Sequence, residues 1–272
     1  MINIVCALTA EAQPVVDRYK LRPAGDNLPF SLFLGERVRV LVTGVGKPAS
    51  AAGVGYLFAH STARRHDGWL NLGVAGHGQR PVGTTCLVTR FLDRASHRSW
   101  YPPQIYQWEM PRLELITVDS PETDFPDDRL FDMEGSAFAA ACIRWATGEL
   151  VQSIKVVSDN RETVHRRLGK REVSQLIATS LDDVDSIVTQ MLELSDSEHA
   201  IHSDPPELAE FLMRWHFTAT RQRQLRDLLR RWHALEILAS PLSESSACQF
   251  PREVLRALSD RLDHTSLRIG PR

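Results

Sequence analysis

The chain opens with "INIVCAL" (2–8), an almost unbroken apolar run of the kind that makes a strand buried on both faces. "TAEAQPVVDRY" follows directly and predicts a short helix with Thr9 as its N-cap. "FSLFLG" and "VRVLVTG" flank Glu36 and Arg37 as the two arms of a hairpin. Residues 48–60 ("PASAAGVGYLFAH") read as a small-residue helix started by Pro48. Further strands are predicted at "GWLNLGVAG" (68–76), "TTCLVTRFLD" (84–93), "LELITVD" (113–119) and "SIKVVSD" (153–159). A helix beginning at Glu134 precedes the last of these, and Leu176, Ile177, Val184, Ile187, Val188 and Met191 recur at helical period after it. Strands alternating with helices predict an α/β fold, a central sheet covered on both sides.

Beyond this the pattern changes. "LELSDSEHAIHSDPP" (192–206) is polar and turn-rich and reads as a linker. Asp204, Pro205 and Glu207 then predict a helix start, with Leu208, Phe211, Leu212 and Trp215 on one face. A second helix after Thr220 carries Leu225, Leu228, Leu229, Trp232 and Leu235, and a third near 251–263 carries Val254, Leu255, Leu258 and Leu262. The predicted organisation is an α/β domain over residues 1–195 and an all-helical C-terminal extension over 203–272.

Composition narrows the choice of partner and compartment. A net charge of −2 over 272 residues gives no global attraction to nucleic acid or to an anionic membrane. Lys20, Lys47, Lys155 and Lys170 are the lysines among 32 basic residues, a bias that suggests genome composition. Cys6, Cys86, Cys142 and Cys248 are widely spaced and predict free thiols in a reducing compartment. "MINIVCALTAEAQPV" has neither a basic leader nor a long apolar run, and no stretch approaches the length of a membrane span, so a cytoplasmic location is expected. One local exception is Arg214, Arg221, Arg223, Arg226, Arg230 and Arg231 within 214–231. These admit a nucleic-acid surface, but charge runs more often mark an exposed helix face, and that reading is preferred.

Candidate chemistry gathers at the predicted carboxyl ends of strands, where ligands bind in such sheets. Glu11 follows the first strand, glycines lie at 44–46 and 73–76, and Asp159 ends the last strand. Each acidic group also has a plain structural reading: Glu11 as a solvated first-turn residue, Glu134 as a helix cap, Asp159 as a turn cap. No GxxxxGK[ST] or complete GxGxxG occurs, no zinc-like ligand spacing is present, and Ser158 lies in no GxSxG elbow. His77 is expected in a loop near the site, and His97 and His165 take no assigned role.

"ALTAEAQPV" (7–15), "VTGVGKPASAAG" (42–53), "NLGVAGHGQRPVGTTCLV" (71–88) and "DMEGSAFAAAC" followed by "VVSDN" (132–160) resemble, in order and spacing, the nucleoside phosphorylase and nucleosidase superfamily. The nearest type is the methylthioadenosine/S-adenosylhomocysteine nucleosidase, and the likeness covers about residues 1–195. The resemblance implies a mixed central sheet flanked by helices and cleavage of an N-glycosidic bond in a purine nucleoside, adenosine-type and 5′-modified. It implies Asp159 as general acid toward the base, with Ser158 beside it. Met133 and Glu134 would bind the ribose, Gly73 and Val74 would line the substrate, and Glu11 would activate water. Val74 stands where the family usually has a small hydroxyl residue, and the stretch from Asp93 to Asp132, which carries the base-binding loop, is shorter than usual. Trp100 or Tyr101 would supply a stacking ring. Gly135 would give room for close approach.

A carboxylate such as Glu11 repels phosphate, so hydrolysis is expected over phosphorolysis, without metal or redox cofactor. The expected ligands are a nucleoside and water, in a homo-oligomer as the resemblance implies. Alternatives are a phosphate-dependent phosphorylase, or a non-catalytic nucleoside-binding scaffold working through its arginine-rich helices.

Overall fold

The computed structural model describes residues 1–60, 65–126, 128–163 and 168–265; His165 and the end of the C-terminal extension lie outside them. The chain divides into two compact units, Met1–Glu198 and His199–Arg272.

The first unit is built on a ten-stranded mixed sheet. Its strands are β1 (Ile2–Cys6), β2 (Arg22–Pro23), β3 (Ser31–Leu34), β4 (Val38–Val42), β5 (Gly68–His77), β6 (Thr85–Asp93), β7 (Ser99–Trp100), β8 (Arg112–Thr117), β9 (Leu130–Asp132) and β10 (Val151–Asp159). β5 pairs with β10, β10 with β6, β6 with β8, β8 with β9 and β9 with β5. These five strands therefore close into a ring. From β5 the sheet continues outward through β1, β4, β3 and β2, and β3–β4 is the predicted hairpin.

Both faces of the central strands are buried, so successive residues feed two different cores. Ile2, Ile4, Leu70, Leu72, Ile154 and Val156 join one cluster, and Val5, Leu41, Trp69, Val151 and Val157 join the other. The first cluster is covered by α1 (Thr9–Arg18), α4 (Lys170–Thr179) and α5 (Leu181–His202). The second is covered by α2 (Lys47–His60) and α3 (Gly135–Cys142). The small residues of α3 let its Phe138 reach the sheet, where the ring sits 6.4 Å from that of Phe91. Among the described residues no helix is long and apolar enough to cross a membrane, and the four cysteines are free.

Local details depart from the sequence expectations. The helical stretch around 176–191 is two helices parted at Ser180, whose hydroxyl donates to the Ile177 carbonyl. The expected linker at 192–206 is helical as far as His202, because Met191 and Ser195 continue the buried face and the polar residues occupy the other. Leu8, not Thr9, is the N-cap of α1. Asp204 caps nothing; it accepts from Arg226 Nε at 2.8 Å, and α6 (Leu208–Arg214) starts after Glu207.

The second unit holds α6, α7 (Ala219–Ala234), a single turn α8 (Pro241–Glu244) and α9 (Pro251–Asp263). α7 starts at Ala219, just ahead of the predicted start after Thr220, and Thr218 caps it by accepting from the Arg221 amide. Phe211, Leu225, Leu229, Trp232, Val254 and Leu258 form its core. Several of the arginines in 214–231 are engaged within the unit. Arg226 pairs with Asp204, Arg230 with Asp227, Arg231 with Asp263, and Arg214 lies over the Trp215 ring. These are exposed pairs of the kind that contribute little to stability.

Because Phe138 is fully buried where α3 meets β6, Phe138→Ala should cost about 3–5 kcal/mol of stability. Urea unfolding of the full chain with an unchanged m-value is the check.

Candidate functional site

One cavity, about 220 Å³, opens where β1, β5, β8, β9 and β10 end. Glu11, Val74, Met133, Glu134, Ser158 and Asp159 all line it, together with Val118, Glu122, Phe125, Phe131 and Asp132. The structure thus brings most of the sequence-predicted residues to one wall. Gly73 is the exception. It lies behind Glu11, and a Cβ there would sit 2.8 Å from Glu11 Oε1, so glycine is required for the carboxylate's close approach and not for substrate contact.

Glu11 is 3% exposed and far from solvated. Its Oε2 accepts from the amides of Ala7 and Leu8 at 3.0 and 2.8 Å, and Oε1 accepts from the Val74 amide at 2.9 Å. It is a capping carboxylate and a cavity residue at once, splicing the end of β1 to β5. An ionised carboxylate has about four acceptor sites, and these bonds leave room for one more donor. Burial pushes its carboxyl group up, against Lys155 and the three amides, which favour the ionised form.

Glu134 occupies the N-cap position of α3, yet its side chain does not cap. The Gly135 amide donates instead to Asp132 Oδ2 at 2.8 Å, and the Ser136 amide donates to Thr117 Oγ1 at 2.8 Å. Relieved of that task, Glu134 Oε1 accepts from the Gly46 amide at 2.6 Å across the cavity mouth. Burial and the neighbouring Asp132 push its carboxyl group up to about 7. Gly135 faces inward, where a Cβ would meet Leu115 and Asp132; its smallness seats the helix and does not admit a ligand.

Asp159 is freed in the same manner. A register shift in the β10–β5 pairing between Val157 and Asp159 sets Asp159 opposite Gly76. Asn160, not Asp159, closes the following turn by accepting from the amides of Glu162 and Thr163. The Ser158 hydroxyl donates to Asp159 Oδ1, which leaves Oδ2 turned toward Gly76 and Phe125.

Sequence reasoning missed the cation beneath these acids. Lys155 Nζ is 2.9 Å from Asp132 Oδ2, with the two side chains 2% and 1% exposed. Burial opposes its charge, but Asp132, Glu134 and Glu11 outweigh burial and hold the ammonium protonated. The signal was present: a lysine in the middle of an apolar strand must have a partner. Phe125 and Phe131 were also missed. Phe125 packs on Gly76, where any Cβ would lie 2.4 Å from its ring, and its backbone is left-handed at φ +43°. Trp100 and Tyr101, the expected stacking rings, instead border a separate small pocket with Pro102 and Ile143, because β7 pairs with β6 away from the cavity. His77 is buried, accepts from the Gln79 and Arg80 amides at Nδ1, and turns Nε2 to Asp128 at 3.1 Å. Among the described residues no arginine, lysine or histidine lines the cavity.

No family model matches the sequence, and no curated protein matches it. Solved structures do match the fold. The 5′-methylthioadenosine/S-adenosylhomocysteine nucleosidase of Colwellia psychrerythraea 34H, solved with adenine, is 17% identical, with a TM-score of 0.54 over 71% of this chain and 94% of that one. Futalosine hydrolase of Helicobacter pylori is 14% identical, with a TM-score of 0.54 over 70% and 97%. The MTAN of Chlamydia trachomatis is 22% identical, with a TM-score of 0.52 over 69% and 98%.

Removing the buried cation leaves Asp132 without its partner, so Lys155→Met should destabilise the protein by about 3–5 kcal/mol. The double variant Lys155→Met/Asp132→Asn, which removes the unpaired charge but keeps an acceptor for the Gly135 amide, should recover part of that loss in the same denaturation measurement.

Proposed function

We propose that this chain, which has the fold of the nucleoside phosphorylase and nucleosidase superfamily, hydrolyses the N-glycosidic bond of a purine nucleoside, with 5′-modified adenosines as the expected substrates. The observation that carries this reading is a single cavity with Glu11, Glu134 and Asp159 on its wall beside the apolar Met133, Phe125 and Phe131.

Each carboxyl group has a distinct part in such a reaction. Asp159, with Oδ1 taken by the Ser158 hydroxyl, turns Oδ2 to the base and acts from there as general acid, delivering a proton as the C1′–N9 electrons move onto the base. Glu134 keeps Oε2 free of the Gly46 amide and accepts from the ribose hydroxyls, with Met133 against the sugar face. Glu11 uses its remaining acceptor site to orient a water, whose oxygen bonds to C1′ and whose proton passes to the carboxylate. The sugar is cationic in the transition state, and a cavity walled by Glu11, Asp132 and Glu134 favours that charge.

The same charges oppose phosphorolysis. Two unit charges 4 Å apart repel by about 4 kcal/mol at an effective dielectric near 20. A phosphate dianion would face the described carboxylates with no cation on the wall.

Purified protein given adenosine, methylthioadenosine, 5′-deoxyadenosine or S-adenosylhomocysteine should release free base without added phosphate. Base release that requires phosphate would reverse the assignment. Loss of a charged hydrogen bond to the sugar costs roughly 1.5–3 kcal/mol, so Glu134→Gln should raise KM about 10- to 100-fold while the fold persists. Sugar binding requires the ionised form of a group raised to about 7. KM should therefore fall as pH rises through about 7, and the Glu134→Gln variant should lose that dependence.

A further inference from the structure

Glu122 is a cavity-wall carboxylate that the hydrolysis above leaves without a part. It is not a stray surface acid. Its side chain is 11% exposed, and Arg94 Nη1 donates to Oε2 at 2.6 Å. The amides of Thr123 and Asp124 donate to Oε1 at 3.0 Å each. The Arg94 guanidinium also lies 5.4 Å from the centre of the Phe131 ring, so the clamp on Glu122 rests on the cavity's own aromatic wall. Burial works against the charge of Glu122, but the Asp124 amide and Arg94 outweigh it and hold the carboxyl below its usual range.

Its link to Asp159 runs through Gly76. Glu122 shares a short loop with Phe125, and the Phe125 ring packs on Gly76. Gly76 is paired on one side with Asp159 and on the other with Phe131. Phe125, Phe131 and Asp159 therefore meet around Gly76, and Glu122, three residues before Phe125, lines the same cavity. A purine's N7 and its 6-substituent lie on the same edge of the base, so a group beside the residue that protonates the base also meets the 6-position.

We propose that Glu122, fixed by Arg94, is the residue that selects a 6-amino purine over a 6-oxo purine; the proposal rests on the nucleosidase reading above. An ionised carboxylate only accepts hydrogen bonds. The bonds from Arg94 and the two amides leave one acceptor site, on Oε2. A 6-amino group donates to that site, whereas a 6-oxo group sets a second acceptor against it, and a site built around one polar partner rejects its mismatch strongly.

The test is a binding and hydrolysis series at fixed sugar: adenosine, purine riboside with no 6-substituent, and inosine. Wild type should bind them in that order, with adenosine favoured over inosine by about 100-fold. In Glu122→Gln, whose amide both donates and accepts, the ratio should collapse to about threefold or less while thermal stability holds. Arg94→Gln, which leaves the carboxylate unanchored, should reduce the ratio part-way. A ratio unmoved by Glu122→Gln overturns the proposal and leaves the nucleosidase reading standing. So does inosine binding better than purine riboside, because the carboxylate would then be reading N1–H. If no nucleoside binds wild type, the nucleosidase reading fails first, and this proposal with it.

Discussion

The cavity depends on one buried ion pair. Lys155 and Asp132 meet at 2.9 Å in the interior, with Glu11 and Glu134 close enough to share the ammonium's field. Three buried carboxylates without a cation would repel one another, and burial pushes Glu11 and Glu134 toward their neutral forms. A single buried lysine makes a cluster of acids tolerable while staying off the cavity wall. The cation can therefore sustain their charge without offering a binding point to a competing anion. Its position follows from register: Lys155 stands opposite Gly73 on β5, directly behind Glu11.

The second constraint is a division of labour between adjacent residues. A carboxylate at a helix start or strand end is ordinarily consumed by orphan amides. Here Asp132 and Thr117 serve the amides of α3, which spares Glu134, and Asn160 serves the turn after β10, which spares Asp159. Glu11 has no such deputy. It caps α1 itself, and its remaining capacity is a single acceptor site. The three acids thus enter the cavity with different degrees of freedom, although all three stand at the ends of regular elements.

Periodicity made the sheet legible because strands buried on both faces have no polar alternation to confuse, and each predicted strand of the first unit lies where an apolar run had marked it. The closed ring was not legible. Closure depends on β9, three residues long, pairing with both β5 and β8, and so short a segment carries no pattern. Glu11 and Asp159 could be singled out because each stands where an apolar strand run ends, and Glu134 because it interrupts the small apolar residues of a helix, while their roles came from the family resemblance. Phe125 and Glu122 could not, since they sit in an irregular loop whose course is set by Gly76 and Arg94, residues distant in sequence. The linker at 192–206 misled because polarity was read without its phase; the apolar positions that matter there lie on one helix face.

Ring closure has a consequence outside the site. A sheet of this size normally presents two open edges, each a row of unpaired backbone groups on which another chain can add a strand. Here the ring absorbs one side of the sheet except for β7, a two-residue strand on β6, and the other side ends in β2, also only two residues long. One of those residues is Pro23, which has no amide hydrogen to offer, and the other is Arg22, a charged and exposed side chain. The fold that gathers carboxylates at its centre therefore also closes its periphery to edge-to-edge aggregation.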